Sequence, residues 1–171
     1  FPKGLPEEML SLITRLQVDI PAMRRDMLTV LIECFDTVQR RLIPSSLENE
    51  DLKLRIKSTF HTSDGWKACE GKVNELIESL KKFGASISGI DQDITHYDHE
   101  RLEESTKGIR YEMTALADRL VSAADLLHDF SKPEIPQNQV RWIEQSPPSN
   151  LSFQDASLDL SKLFAEHLFD K

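Results

Sequence analysis

Apolar residues recur at steps of three and four along most of the chain, the period of amphipathic helices. Leu5, Met9, Leu12, Ile13 and Leu16 open the pattern, with Pro6 suited to a first helical turn. Pro21 lacks a backbone N–H, so it should interrupt this helix and open the next. The second helix carries Met23, Met27, Val30, Cys34, Val38 and Leu42 and ends before Pro44. From Ser63 the pattern is clearest. Trp66, Cys69, Val73, Leu76, Leu80, Phe83, Ile87, Ile90, Ile94 and Tyr97 alternate steps of three and four without a slip, which is a heptad seam. Thr62 or Ser63 suits its N-cap. Gly84 and Gly89 lie inside it, each costing about 1 kcal/mol relative to Ala. The phase breaks at Tyr97-Asp98-His99, where Thr95 or Asp98 can cap a new helix. Leu102, Ile109, Met113, Leu116, Leu120, Ala123, Leu127 and Phe130 form a second seam, which Lys132-Pro133 ends. Each helix has about 30 residues and extends about 45 Å. So short a break between two seams predicts an antiparallel helical hairpin.

Elsewhere the period changes to two, the period of strands. Leu52, Leu54 and Ile56 alternate with Lys53, Arg55 and Lys57. Glu48-Asn49-Glu50-Asp51 could begin a short helix instead, but the alternation favours an extended segment. Residues 133–138 read as a Pro-containing linker. Beyond it Val140, Trp142 and Glu144 alternate with Arg141, Ile143 and Gln145. A turn over Ser146-Pro147-Pro148-Ser149-Asn150 leads to Leu151, Phe153 and Asp155, so a β-hairpin is expected. A terminal helix is expected from Leu160 to Phe169. The fold class is therefore mainly α: a long antiparallel helical hairpin in a helical bundle, with a small C-terminal β-hairpin and terminal helix. Residues 1–132 form the helical domain and 139–171 a segment that must pack on it, or on a sheet outside this chain.

Composition narrows the possible roles. The net charge of −8 is uneven: residues 1–60 balance nine basic against nine acidic side chains, while 61–171 hold twelve against twenty. Such an acidic chain is a poor candidate for strong nucleic-acid binding by itself, since phosphate contacts need clustered Lys and Arg. The basic concentrations are Arg24-Arg25, Arg40-Arg41 and the alternating Lys53, Arg55 and Lys57. Their guanidinium groups can hold phosphates through paired hydrogen bonds, or can pair with Asp26, Glu33 and Asp36 nearby. Cys34 and Cys69 fall inside helical patterns and read as buried free thiols, which suits a reducing, cytoplasmic compartment. No apolar run approaches the roughly 20 residues of a membrane span.

The sequence motifs of common site chemistries are incomplete or missing. Gly71-Lys72 lacks the earlier glycine and following Ser or Thr of a phosphate-binding loop. No G-x-G-x-x-G, G-x-S-x-G, H-E-x-x-H or C-x-x-C occurs. His96-Tyr97-Asp98-His99-Glu100 offers nitrogen and oxygen ligands, yet polar residues belong at a hairpin tip anyway. No catalytic, cofactor-binding or metal-binding residue is therefore assigned.

The C-terminal segment carries a resemblance. Val140-Arg141-Trp142-Ile143-Glu144, then Ala156-Ser157-Leu158-Asp159-Leu160-Ser161 with Leu163, Phe164, Leu168 and Phe169, resembles the stretch before the Ser-Ala-Thr-Leu motif of DinG-type DNA helicases, relatives of the XPD group. Ser157 stands where that family often has Pro. The helical residues before it resemble in layout the arch inserted into the first motor domain. The resemblance implies a fragment of an ATP-dependent 5′→3′ DNA helicase of repair or replication. ATP and Mg, and any iron–sulfur cluster, would be held outside this chain. The partners implied are single-stranded DNA and the motor domains of the same polypeptide, with Arg24, Arg25, Arg40, Arg41, Arg55 and Lys57 as possible DNA contacts. The alternative is a coiled-coil-like helical protein-interaction module, which heptad seams fit equally well.

Overall fold

The computed structural model describes residues 7–44, 47, 50–97, 100–146 and 150–157. Helix α1 (Glu7–Thr14) passes through a five-residue π-helical stretch, Arg15–Asp19, into α2 (Ile20–Leu42). Pro21 therefore does not break the helix as the sequence led us to expect. The Ile20 N–H reaches back five residues to the Arg15 carbonyl, and the widened turn sits immediately before the proline. A ring at position 21 would crowd the carbonyl of residue 17 and cannot donate to it; a π turn just upstream accommodates both defects.

Helices α3 (Asp64–Tyr97) and α4 (Glu100–Ser131) have 34 and 32 residues. The α3 seam is as expected: Trp66, Cys69, Val73, Leu76, Leu80, Phe83, Ile87 and Ile90 are all buried. The α4 seam is as expected at Leu127 and Phe130 but displaced ahead of them. Ile109 is 60% and Leu116 44% exposed, whereas Ala117, Ala124, Leu127 and Phe130 are buried. Small side chains, which carry little pattern, occupy much of the true contact.

The chain divides into two compact units. The first takes the described residues up to Glu33 with Asn74–Leu126. In it α3 and α4 run antiparallel, as Lys81 pairs with Asp125 (3.9 Å) and Arg110 Nε donates to Asp91 Oδ1 (3.0 Å). A Cβ on Gly84 would lie 3.4 Å from both the Ala117 carbonyl oxygen and Val121 Cγ2, so the glycine marks a close approach of the two helices. Gly89 lies against the Arg15 guanidinium, which pairs with Asp93 and ties the π-helical stretch to α3.

The second unit takes Cys34–Val73 with the described residues from Leu127 onward. It contains a three-stranded antiparallel sheet in the order β1 (Leu52–Ile56), β2 (Gln139–Ser146), β3 (Asn150–Ser157). The expected hairpin is present, with pairing carried to Ser146↔Asn150, and the extended segment joins it as a third strand with Leu54↔Ile143 and Arg55↔Trp142. Ile143 and Phe153 point inward, and Phe153 meets Phe35 of α2 and Phe130 of α4 edge-on, with centroids 5.9 and 5.4 Å apart. The hairpin thus gains the cover it cannot give itself.

Two polar side chains are also buried on that face. Arg141 Nη1 donates to the Asp129 carbonyl at the end of α4 (2.5 Å), and the guanidinium lies over the Phe130 ring. It gives this terminal helix carbonyl a second donor beside the Lys132 N–H (3.2 Å). Gln145 Nε2 donates to the Leu47 carbonyl (2.9 Å) and the Glu50 carbonyl (3.2 Å), clasping the approach to β1. Cys34 and Cys69 are free and buried, as expected. No described helix is long and apolar enough to cross a membrane. The expected terminal helix Leu160–Phe169, and Pro6, Asp98 and His99, lie outside the described residues.

Candidate nucleic-acid interface

Strand β1 sets the charges of the second unit by its alternation. Ile56 is buried while Lys53, Arg55 and Lys57 are exposed. The chain then tightens into a turn: Phe60 N–H donates to the Lys57 carbonyl (2.9 Å), and a 3-10 turn spans Phe60–Thr62. Ser63 leaves it in extended conformation, and its Oγ accepts the Trp66 N–H (3.2 Å), capping α3 as the sequence suggested. Phe60, His61 and Trp66 form an aromatic cluster with centroids 5.1 to 5.4 Å apart. His61 Nε2 is 2.8 Å from the Phe130 carbonyl, so the imidazole donates there and fastens the turn to α4.

The first turn of α3 lies close against the end of α2. A Cβ on Gly65 would stand 3.0 Å from the Arg41 carbonyl oxygen and 3.0 Å from Leu42 Cδ2. This approach brings Arg41 beside the capped helix start. Arg41, Arg55 and Lys57 thereby line one open cavity of about 390 Å³, with the hydroxyls of Thr59 and Ser63 and an apolar floor that includes Leu42, Leu54 and Phe60. Among the described residues its lining contains no carboxylate, imidazole or thiol. Arg41, Arg55 and Lys57 form no ion pair among the described residues.

The six basic residues singled out from sequence fare differently. Arg41, Arg55 and Lys57 converge on this cavity. Arg40 lines an adjoining hollow with Thr37 and Arg41, but its guanidinium pairs with Asp36 one turn earlier. Arg24 and Arg25 are exposed on α2 in the first unit and line none of the cavity. Sequence reasoning passed over Thr59, Phe60 and Ser63, although the run Ser58-Thr59-Phe60-His61-Thr62-Ser63 is turn-forming and hydroxyl-rich. It also passed over Trp142 as a site residue.

Trp142 lies on the outer face of the sheet, opposite Arg55 in the register. Its indole N–H donates to Glu144 Oε2 (3.1 Å), and Lys53 Nζ is 3.2 Å from Glu144 Oε1. The indole N–H and the lysine ammonium together hold the Glu144 carboxyl below the usual carboxylate range. Cys69 sits behind the cavity with its thiol toward the Gly65 carbonyl (3.2 Å); burial pushes that thiol up, though Arg41 opposes the shift. It is a packed group rather than a nucleophile.

Concentrated cations with hydroxyl donors suit a phosphate group, and an aromatic floor suits a sugar or base. Among the described residues, no three His, Cys, Asp or Glu side chains come together as metal ligands do. No family model, no curated protein and no solved structure matches this chain.

Proposed function

We propose that this chain is a helical domain lining the path of single-stranded DNA in a cytoplasmic, ATP-dependent 5′→3′ DNA helicase of the DinG/XPD type. The supporting observation is the cavity of Arg41, Arg55 and Lys57, where three cations meet without a matching acid among the described residues. The resemblance of residues 139–169 to the helicase family supplies the parent. ATP and Mg belong to motor domains elsewhere in the polypeptide, and the chain's own part is to hold the strand beside them. Contacts to phosphate position a strand without reading its sequence, as a translocating motor requires.

The test is fluorescence anisotropy of a labelled oligothymidylate with the full-length protein across a salt series. Changing Arg41, Arg55 and Lys57 to Ala should weaken binding at least tenfold and flatten the salt slope by about 2, at roughly 0.7 per phosphate contact. Arg24→Ala/Arg25→Ala should cost less. Unchanged affinity and slope in the triple variant would sink the reading.

A second reading has its own observation. Ile109 and Leu116 are exposed one heptad apart on α4, as in a helix that receives a partner. Sedimentation that gave a protein complex dispersed by Ile109→Lys, with no DNA binding, would favour the interaction module.

A further inference from the structure

The cavity accounts for a phosphate but leaves the bases of the strand without a seat. We infer that Trp142, on the outer face of β2, stacks a base of the same strand whose phosphate lies in the cavity. The inference rests on the single-stranded DNA reading above.

Three observations place the two elements together. Arg55 lines the cavity and is also the register partner of Trp142, so a single residue joins phosphate seat and indole. The indole is held in place before any ligand arrives, because its N–H is committed to Glu144 Oε2 at 3.1 Å. The alternation of β2 sends Arg141, Ile143 and Gln145 inward, which leaves a half-buried Trp142 as the large aromatic of the opposite face.

Burying an indole in the core is ordinary; keeping one outside needs a reason. The buried tryptophan of this chain is Trp66, only 1% exposed. Trp142 instead lies under a cation, with Lys53 Nζ 5.9 Å from its ring centroid. The Lys53 side chain is 67% exposed, so it is a movable cover. An exposed pair such as Lys53–Glu144 contributes little to stability, and its ammonium can pass to a phosphate as a base takes its place over the ring. Base stacking on an aromatic side chain is indifferent to sequence, because every base has a π face. The sheet therefore complements the cavity: the cations take the backbone and the indole takes the base.

The test uses the full-length protein and two ligands, oligothymidylate and an abasic oligodeoxyribose phosphate of equal length. Thymine contact should quench tryptophan emission, and the quench should vanish in Trp142→Phe. Trp142→Ala should weaken oligothymidylate binding about 5- to 100-fold, the range of losing one stacked base. Trp142→Phe, which keeps a ring, should stay within about threefold of wild type. For the abasic ligand all three proteins should bind alike. Salt-sensitive oligothymidylate binding that ignores Trp142→Ala and gives no quench would overturn the stacking site while leaving the cavity reading intact. A loss in Trp142→Ala of equal size for both ligands would overturn it too, since that marks a folding defect. Failure of wild type to bind either ligand would overturn both readings.

Discussion

Two hollows of comparable size, one in each unit, settle their charges in opposite ways. The hollow of the first unit, about 290 Å³, is lined by Asp91, Lys107, Arg110, Tyr111 and Thr114, and Arg110 donates to Asp91 within it. That of the second unit gathers Arg41, Arg55 and Lys57 with no acid among the described residues of its lining. Both offer cations, hydroxyls and an aromatic ring. The difference is the single carboxylate. A guanidinium that faces an aspartate on the next helix helps hold two helices in register. One that faces only hydroxyls keeps its charge for an incoming anion. The count of basic residues does not distinguish these cases, and neither does the net charge of −8.

The contrast can be broken at three points. The second hollow stands on the aromatic cluster around Trp66, a fully packed indole. Trp66→Ala should cost about 3–5 kcal/mol in urea unfolding followed by circular dichroism, and should lower DNA affinity with it. Retained affinity would mean that the cavity does not depend on its floor. Next, Gly65→Ala places a Cβ 3.0 Å from the Arg41 carbonyl, a backbone atom that cannot step aside. It should cost about 1–3 kcal/mol. Gly71, with nothing within 4 Å of its virtual Cβ, is the control, and Gly71→Ala should gain up to about 1 kcal/mol of helix stability. Finally, Asp91→Ala removes the acid that distinguishes the first hollow. It should cost about 1 kcal/mol at low salt, since the pair it breaks is partly exposed. It should also tighten oligothymidylate binding on the order of twofold by removing a negative charge beside Lys107 and Arg110. No change in affinity would mean that position, not charge balance, makes the second hollow a site.

How far the sequence could be read depended on side-chain size. The α3 seam was legible because large apolar residues from Trp66 to Ile90 fill it. The α4 seam was legible at Leu127 and Phe130 but misplaced before them, because the close approach at Gly84 selects Ala117 and leaves larger Leu116 outside. The same bias hid the sheet's orientation. Alternation predicted two faces for β2, but Arg141 and Gln145 occupy the inner one, where each donates to a backbone carbonyl of a neighbouring segment. Basic candidates were visible as residue types. Their convergence was not, because it follows from the packing of Gly65 against the end of α2, a contact between residues far apart in the chain.

Gln145 has a wider consequence. A strand has only two ways to face, odd residues in or even residues in, and a slip of one position exchanges them. By grasping the Leu47 and Glu50 carbonyls just before β1 begins, Gln145, itself the register partner of Leu52, holds β1 to the observed parity. Were β1 to enter one residue out of step, Leu54 and Ile56 would face water and Arg55 would face Phe130 and Phe153. The placement of Arg55 and Lys57 at the cavity is thus a matter of parity, which this amide helps to hold.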